Sequence, residues 1–177
     1  MATVRPIQGG RYSGVAILFH WTIAALVLAN LWIGLIGGSM PAHKAIGITV
    51  LVLTLGRIGW RLGHATPPLP AGTPGWERLA ASASHALFYV LLLVLPLSGW
   101  AMVSGAKRNP LDWFGLFPIP YLPISPSLAH QGHEAHEVLG FAMLGLVALH
   151  IAAALRHHFL LRDGMLARML PGARTVR

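Results

Sequence analysis

His136 and His150 stand 14 residues apart in one apolar segment. On an α-helix that interval is a rise of about 21 Å and nearly four whole turns. Both imidazoles would leave the same face of one helix, one toward each side of a bilayer. Imidazole is a strong ligand for iron, and a six-coordinate haem b takes one imidazole on each side of its porphyrin plane. A single helix carrying this pair can serve two stacked haems, provided that facing helices supply the other two ligands.

The rest of the chain has the composition to supply them. Of its 177 residues 55% are apolar and only 10% are charged, whereas a soluble domain is about 25% charged. Four apolar segments, roughly 15–36, 42–62, 83–104 and 132–160, are each long enough to cross a hydrocarbon core that needs about 20 helical residues. The connections are short and of turn type: Gly37-Gly38-Ser39-Met40-Pro41, then Thr66-Pro67-Pro68-Leu69-Pro70. A third, from Asn109 to Pro126, holds five prolines and several aromatics and is expected to be an ordered loop at the membrane interface. The expected fold class is all-α: a single integral-membrane domain over residues 1–177, built as a four-helix bundle with two haems b between the helices.

The chain has no cysteine, which removes disulfides, iron–sulfur clusters and the covalent attachment of c-type haem. The net charge of +8 does not signal nucleic acid, because the basic residues flank the apolar segments, where they act as topology signals. The first apolar stretch is too long for the core of a cleaved leader. With the N-terminus inside, ten arginines fall on the inner side (Arg5, Arg11, Arg57, Arg61, Arg78, Arg156, Arg162, Arg168, Arg174, Arg177). Only Lys44, Lys107 and Arg108 fall outside. Both termini are therefore expected to be cytoplasmic.

That topology gives every histidine a depth. His20 and His150 meet near the inner face, and His43 and His136 near the outer face. A lone intramembrane histidine is as readily a hydrogen-bonding group or a proton relay. Four at matched depths, two of them 14 apart on one helix, are hard to obtain by accident. His133 lies 17 residues before His150, about 100° off the shared face, which makes His136 the better ligand. His85 lies at the inner level as well, and as the partner of His150 it remains an alternative to His20. Arg57 follows His43 by 14 residues, on the same face at the inner level. It either meets an anionic partner, for which a haem propionate is the obvious candidate, or snorkels to the interface. The run His133-Glu134-Ala135-His136-Glu137 lacks the H-E-x-x-H spacing of a zinc protease. His130, His133 and His136 remain a weak candidate for a surface metal.

Several stretches together resemble the bacterial cytochrome b561 family, a branch of the superfamily that includes the haem-b subunits of nickel-iron hydrogenases and formate dehydrogenases. They are Phe19-His20-Trp21, His43-Lys44 with Gly47, Arg57 with Arg61, Thr66-Pro67-Pro68, His85, and Leu95-Pro96 with Gly99. Then come His136-Glu137, Leu149-His150, His157-His158 and Met169-Leu170-Pro171. The resemblance spans almost the whole chain. It implies haem ligation by His20, His43, His136 and His150, a place in the bacterial cytoplasmic membrane, and electron exchange with ubiquinone. For some members it implies oxidation of superoxide at the outer face.

The chain is accordingly expected to act as a superoxide:ubiquinone oxidoreductase. Lys44 and Lys107, with Arg108, would steer the superoxide anion. The stretch Arg156-His157-His158, with His85, would offer donors to a quinone oxygen, His157 foremost; the alternative is an interfacial basic anchor. The alternative is a haem-b anchor and electron relay for a partner dehydrogenase, which the same histidines would serve. A histidine-using transporter without haem is a third reading, and it leaves the matched depths unexplained.

Overall fold

A computed structural model describes residues 10–70, 72–106 and 110–172. Among them, four long helices run α1 Gly14–Ile36, α2 Met40–Gly63, α3 Gly75–Ala106 and α4 Pro126–Leu155. Each is long and apolar enough to cross a membrane. Their starts are written locally. Ser13, Ser39 and Ser125 sit at the N-caps of α1, α2 and α4, and each hydroxyl accepts the backbone N–H three residues on. Prolines occupy the first turn of α2 and α4, where their missing N–H costs nothing. Gly37, at φ 107°, ends α1 in a conformation that a side chain would resist.

Two helices exceed the apolar stretches that announce them. The third begins at Gly75 rather than near residue 83, and the fourth at Pro126 rather than near 132. Hydropathy marks the lipid-facing length, whereas the helix starts where a cap or a proline permits it, here in polar residues beyond the hydrocarbon.

α1 packs on α2, α2 on α3 and α3 on α4, with α3 and α4 the most intimate pair. Both termini of the bundle come to one end, called here the terminal end; the α1–α2 turn and the α3–α4 connection lie at the other, the hairpin end. The central core cluster is Ile23, Val50, Leu91, Leu92, Met143 and Leu146, and a smaller one of Val103, Leu111 and Ile119 lies at the hairpin end. Met143, only 1% exposed, lies seven residues from both His136 and His150, so the central cluster separates the two histidine levels. The large apolar side chains left outside, among them Leu18, Trp32, Val52, Val138 and Leu149, suit lipid.

Both ends are closed by polar clasps. In the connection after α3, the strands β1 Asp112–Trp113 and β2 Phe117–Pro118 pair antiparallel, as the proline-rich composition had suggested of an ordered loop. Trp113 Nε1 donates to Thr49 on α2, Trp100 Nε1 donates to the Pro120 carbonyl, and Ser104 Oγ accepts the Leu122 N–H. At the terminal end α4 widens into a π-helical turn, Arg156–Leu161, before the chain folds back. Buried Arg168 there donates to the carbonyls of Gly10 and Pro68, and Trp21 Nε1 donates to the Met169 carbonyl at 2.7 Å.

Candidate functional site

At the hairpin level the His43 ring, on α2, faces the His136 ring, on α4, with 6.0 Å between centres. Each ring is held by its Nδ1. His43 Nδ1 lies 3.2 Å from the Asn30 carbonyl, and His136 Nδ1 lies 3.0 Å from the Leu95 carbonyl. A carbonyl can only accept, so both Nδ1 atoms carry the proton and both Nε2 atoms keep a lone pair. Ser98 reinforces this: its hydroxyl donates to the same Leu95 carbonyl and lies 3.2 Å from His136 Nδ1.

Glycines on the neighbouring helices make room for the two rings. A Cβ added at Gly34 on α1 would stand 3.0 Å from His43 Cε1, and one at Gly99 on α3 would stand 2.9 Å from His136 Cε1. Gly99 belongs to the Leu95-Pro96 stretch that carries the family resemblance; Gly34 carries no signal in the sequence, because only its neighbour in space explains it. Around the pair lies a cavity of about 490 Å³, lined by Gly34, Gly47, Gly99 and Gly140 as well as the two histidines. Asn30 lines it too, with its side-chain oxygen buried and without a hydrogen-bond partner. Lys44 and Glu137 are also in its wall, and Lys44 Nζ donates to the Pro110 carbonyl at 2.6 Å. Lys107 and Arg108 lie outside the described residues.

The terminal level is arranged differently. The His150 ring stands 6.2 Å from His20 and equally 6.2 Å from His85. Phe88 packs edge-on against it at 5.2 Å. Among the described residues no carbonyl orients His20. Its Nδ1 lies 3.4 Å from Arg57 Nη1, and a guanidinium only donates, so here Nδ1 accepts. Arg57 and Arg61 both lie over the Tyr89 ring, at 5.8 and 5.7 Å from its centre. In the π-helical turn His157 Nδ1 donates to Asp163, and Arg156 pairs with Glu77 at 3.1 Å. The candidate surface trio does not assemble: His133 Nδ1 rests on the Met102 sulfur, and no group of three metal-ligating side chains occurs among the described residues.

The sequence profile described as prokaryotic cytochrome b561 matches residues 11–172. The chain belongs to this family. Cytochrome b561 homolog 2 of Escherichia coli (strain K12) is 33% identical over 90% of this chain and 91% of its own. A protein of Yersinia pestis named probable superoxide oxidase CybB is 31% identical over 93% of this chain and 98% of its own. Cytochrome b562 of Cereibacter sphaeroides is 29% identical over 90% and 94%. This b561 protein is thus a bacterial membrane oxidoreductase that transfers electrons and carries haem b.

The residues present suit that group. Two imidazoles on opposite sides of one metal, each bonded at about 2 Å, have ring centres roughly 6 Å apart, and both levels offer that separation. At the hairpin level the free Nε2 atoms, the glycine-backed rings and the cavity add three independent points of agreement.

Proposed function

We propose that this cytochrome binds two haems b and uses them to oxidise superoxide at the hairpin end and reduce ubiquinone at the terminal end. His43 and His136 ligate one haem, His20 and His150 the other, with Arg57 at a propionate of the second. The hairpin end faces outward and both termini lie in the cytoplasm, following the ten-to-three partition of basic residues. The observation that carries the reading is the recurrence of one imidazole separation at two levels of a single bundle, 6.0 Å and 6.2 Å, with a full apolar layer between. The name of the Yersinia pestis relative supports the choice of donor.

Held by His43 with His136 and by His20 with His150, haem b would supply one-electron redox centres suited to electron transfer. The overall balance is two superoxide anions giving two O₂ and two electrons, while one ubiquinone takes those electrons and two protons to become ubiquinol. The chain's own groups serve the ends. Lys44, fixed at the rim of the hairpin-end cavity by the Pro110 carbonyl, offers superoxide a localised cation, and Lys107 belongs to the same steering set. On the terminal side, His157 lies seven residues beyond His150, and Asp163 holds its Nδ1 proton, which leaves Nε2 to face a quinone oxygen. His85, exposed beside His150, is the second group on that side.

The deciding experiment is the reduced-minus-oxidised spectrum of the purified protein, with superoxide and then ubiquinone supplied and haem counted per chain. Two low-spin b haems that superoxide reduces and quinone reoxidises are expected. Two haems indifferent to superoxide, with a dehydrogenase subunit co-purifying, would move the chain to an electron relay. Lys44→Gln should slow the superoxide step about tenfold at low salt and flatten its dependence on ionic strength; a rate unchanged at every ionic strength defeats steering. His157→Ala should slow reoxidation by quinone at least tenfold while superoxide still reduces both haems at the wild-type rate. An effect on the superoxide step instead would remove His157 from the quinone side.

A further inference from the structure

The chain has five acidic side chains, and among the described residues none pairs with Arg57 or Arg61. Glu77 holds Arg156, Asp163 holds His157, Glu134 lies toward His130, Asp112 caps its own turn at Gly115, and Glu137 lines the hairpin-end cavity. Yet Arg57 and Arg61, one turn apart on α2, direct both guanidiniums at the same ring, Tyr89, on the helix face that also carries His85 one turn away. A cation–π contact gives each arginine about 0.5–2 kcal/mol, which orients a cation without neutralising it. Two cations side by side at the membrane margin, with no acid beside them among the described residues, form a site that favours an anion. The contact from Arg57 to His20 Nδ1 sharpens this preference. As a donor to Nδ1, Arg57 selects the tautomer with its proton on Nε2, the wrong one for a ligand. An anion that takes the Arg57 N–H groups releases His20 to ligate.

We propose that Arg61 and Arg57, spaced by the Tyr89 ring, form a two-cation clamp for the paired carboxylates of the terminal-level haem. One arginine meets each propionate, and Tyr89 sets their separation. The proposal rests on the reading of His20 and His150 as ligands and adds to it a second anchoring cation, on an exposed side chain, together with the aromatic spacer.

The test is a redox titration of the purified holoprotein in dodecyl maltoside, free of phospholipid, for wild type, R61Q, R57Q and R78Q. Arg78 is an exposed arginine at the same end that does not meet Tyr89, so R78Q removes the same charge elsewhere. Loss of a cation beside a propionate favours the ferric state. R61Q is expected to lower the reduced-to-oxidised ratio of one haem three- to tenfold at fixed potential, a shift of roughly 30–60 mV at 59 mV per tenfold. R57Q should lower it as much or more, and R78Q should leave both haems unchanged. A His136→Ala background, keeping only the terminal-level haem, assigns the shifted transition. Two haems per chain with both potentials unmoved in R61Q and R57Q overturns the clamp and leaves the ligand assignment standing. One haem per wild-type chain overturns the ligand assignment itself. A shift that appears only when anionic phospholipid is restored assigns the arginines to lipid headgroups and overturns the clamp.

Discussion

His136→Ala is expected to leave one haem per chain and to cut reduction by superoxide by about a hundredfold or more, while the remaining haem keeps its spectrum and its reoxidation by quinone. His136 Nε2 is one of two imidazole lone pairs left free at the hairpin-level cavity, and the third histidine in that wall, His133, is turned to the Met102 sulfur. The same loss should follow from Gly99→Val, which touches no metal. Its Cβ alone would stand 2.9 Å from His136 Cε1, and the branched side chain leaves no position for the ring. Ser98→Ala should be milder, about tenfold in haem retention, because the Leu95 carbonyl still holds the Nδ1 proton. Haem counted per chain, with the superoxide rate, reads all three. Two haems retained in both His136→Ala and Gly99→Val would disprove the pairing of His43 with His136.

His150→Ala should remove the other haem and abolish quinone reduction, whichever residue ligates opposite it, because His20 and His85 both stand 6.2 Å from its ring. The two partners are then separable. His20→Ala is expected to lose the same haem, since His20 is half-buried beside Arg57. His85→Ala should keep both haems and reoxidise more slowly with quinone, as suits an exposed histidine at the membrane margin. Loss of haem in His85→Ala with retention in His20→Ala would reverse the two roles.

Much of the bundle is legible in the sequence alone, and for particular reasons. A helix has a fixed rise and turn, so the 14-residue interval between His136 and His150 already sets their common face and their separation in depth. Hydrocarbon tolerates so few polar groups that four spans stand out, and with them the depth of each histidine. The same arithmetic puts Arg57 at the level of His20, and the two side chains lie 3.4 Å apart. Less legible were the helix starts, because α3 and α4 extend into polar residues that hydropathy does not register. Gly34, Tyr89 and the pairing of Arg61 with Tyr89 carry no local signal. Each acquires meaning only from a neighbour on another helix.

The sequence by itself determined the class, the spans, the two histidine levels and the family resemblance, because periodicity and transfer free energy act along the chain. Only the tertiary structure decided which nitrogen of His43 and His136 is free, which glycines yield space to their rings, and that His150 faces two histidines rather than one. It also decided that two arginines share one aromatic ring with no acid beside them among the described residues. These are properties of contacts between helices. A carbonyl's direction, a 3 Å approach or an unpaired charge depends on how two helices are rotated against each other, and no interval within one helix encodes that rotation.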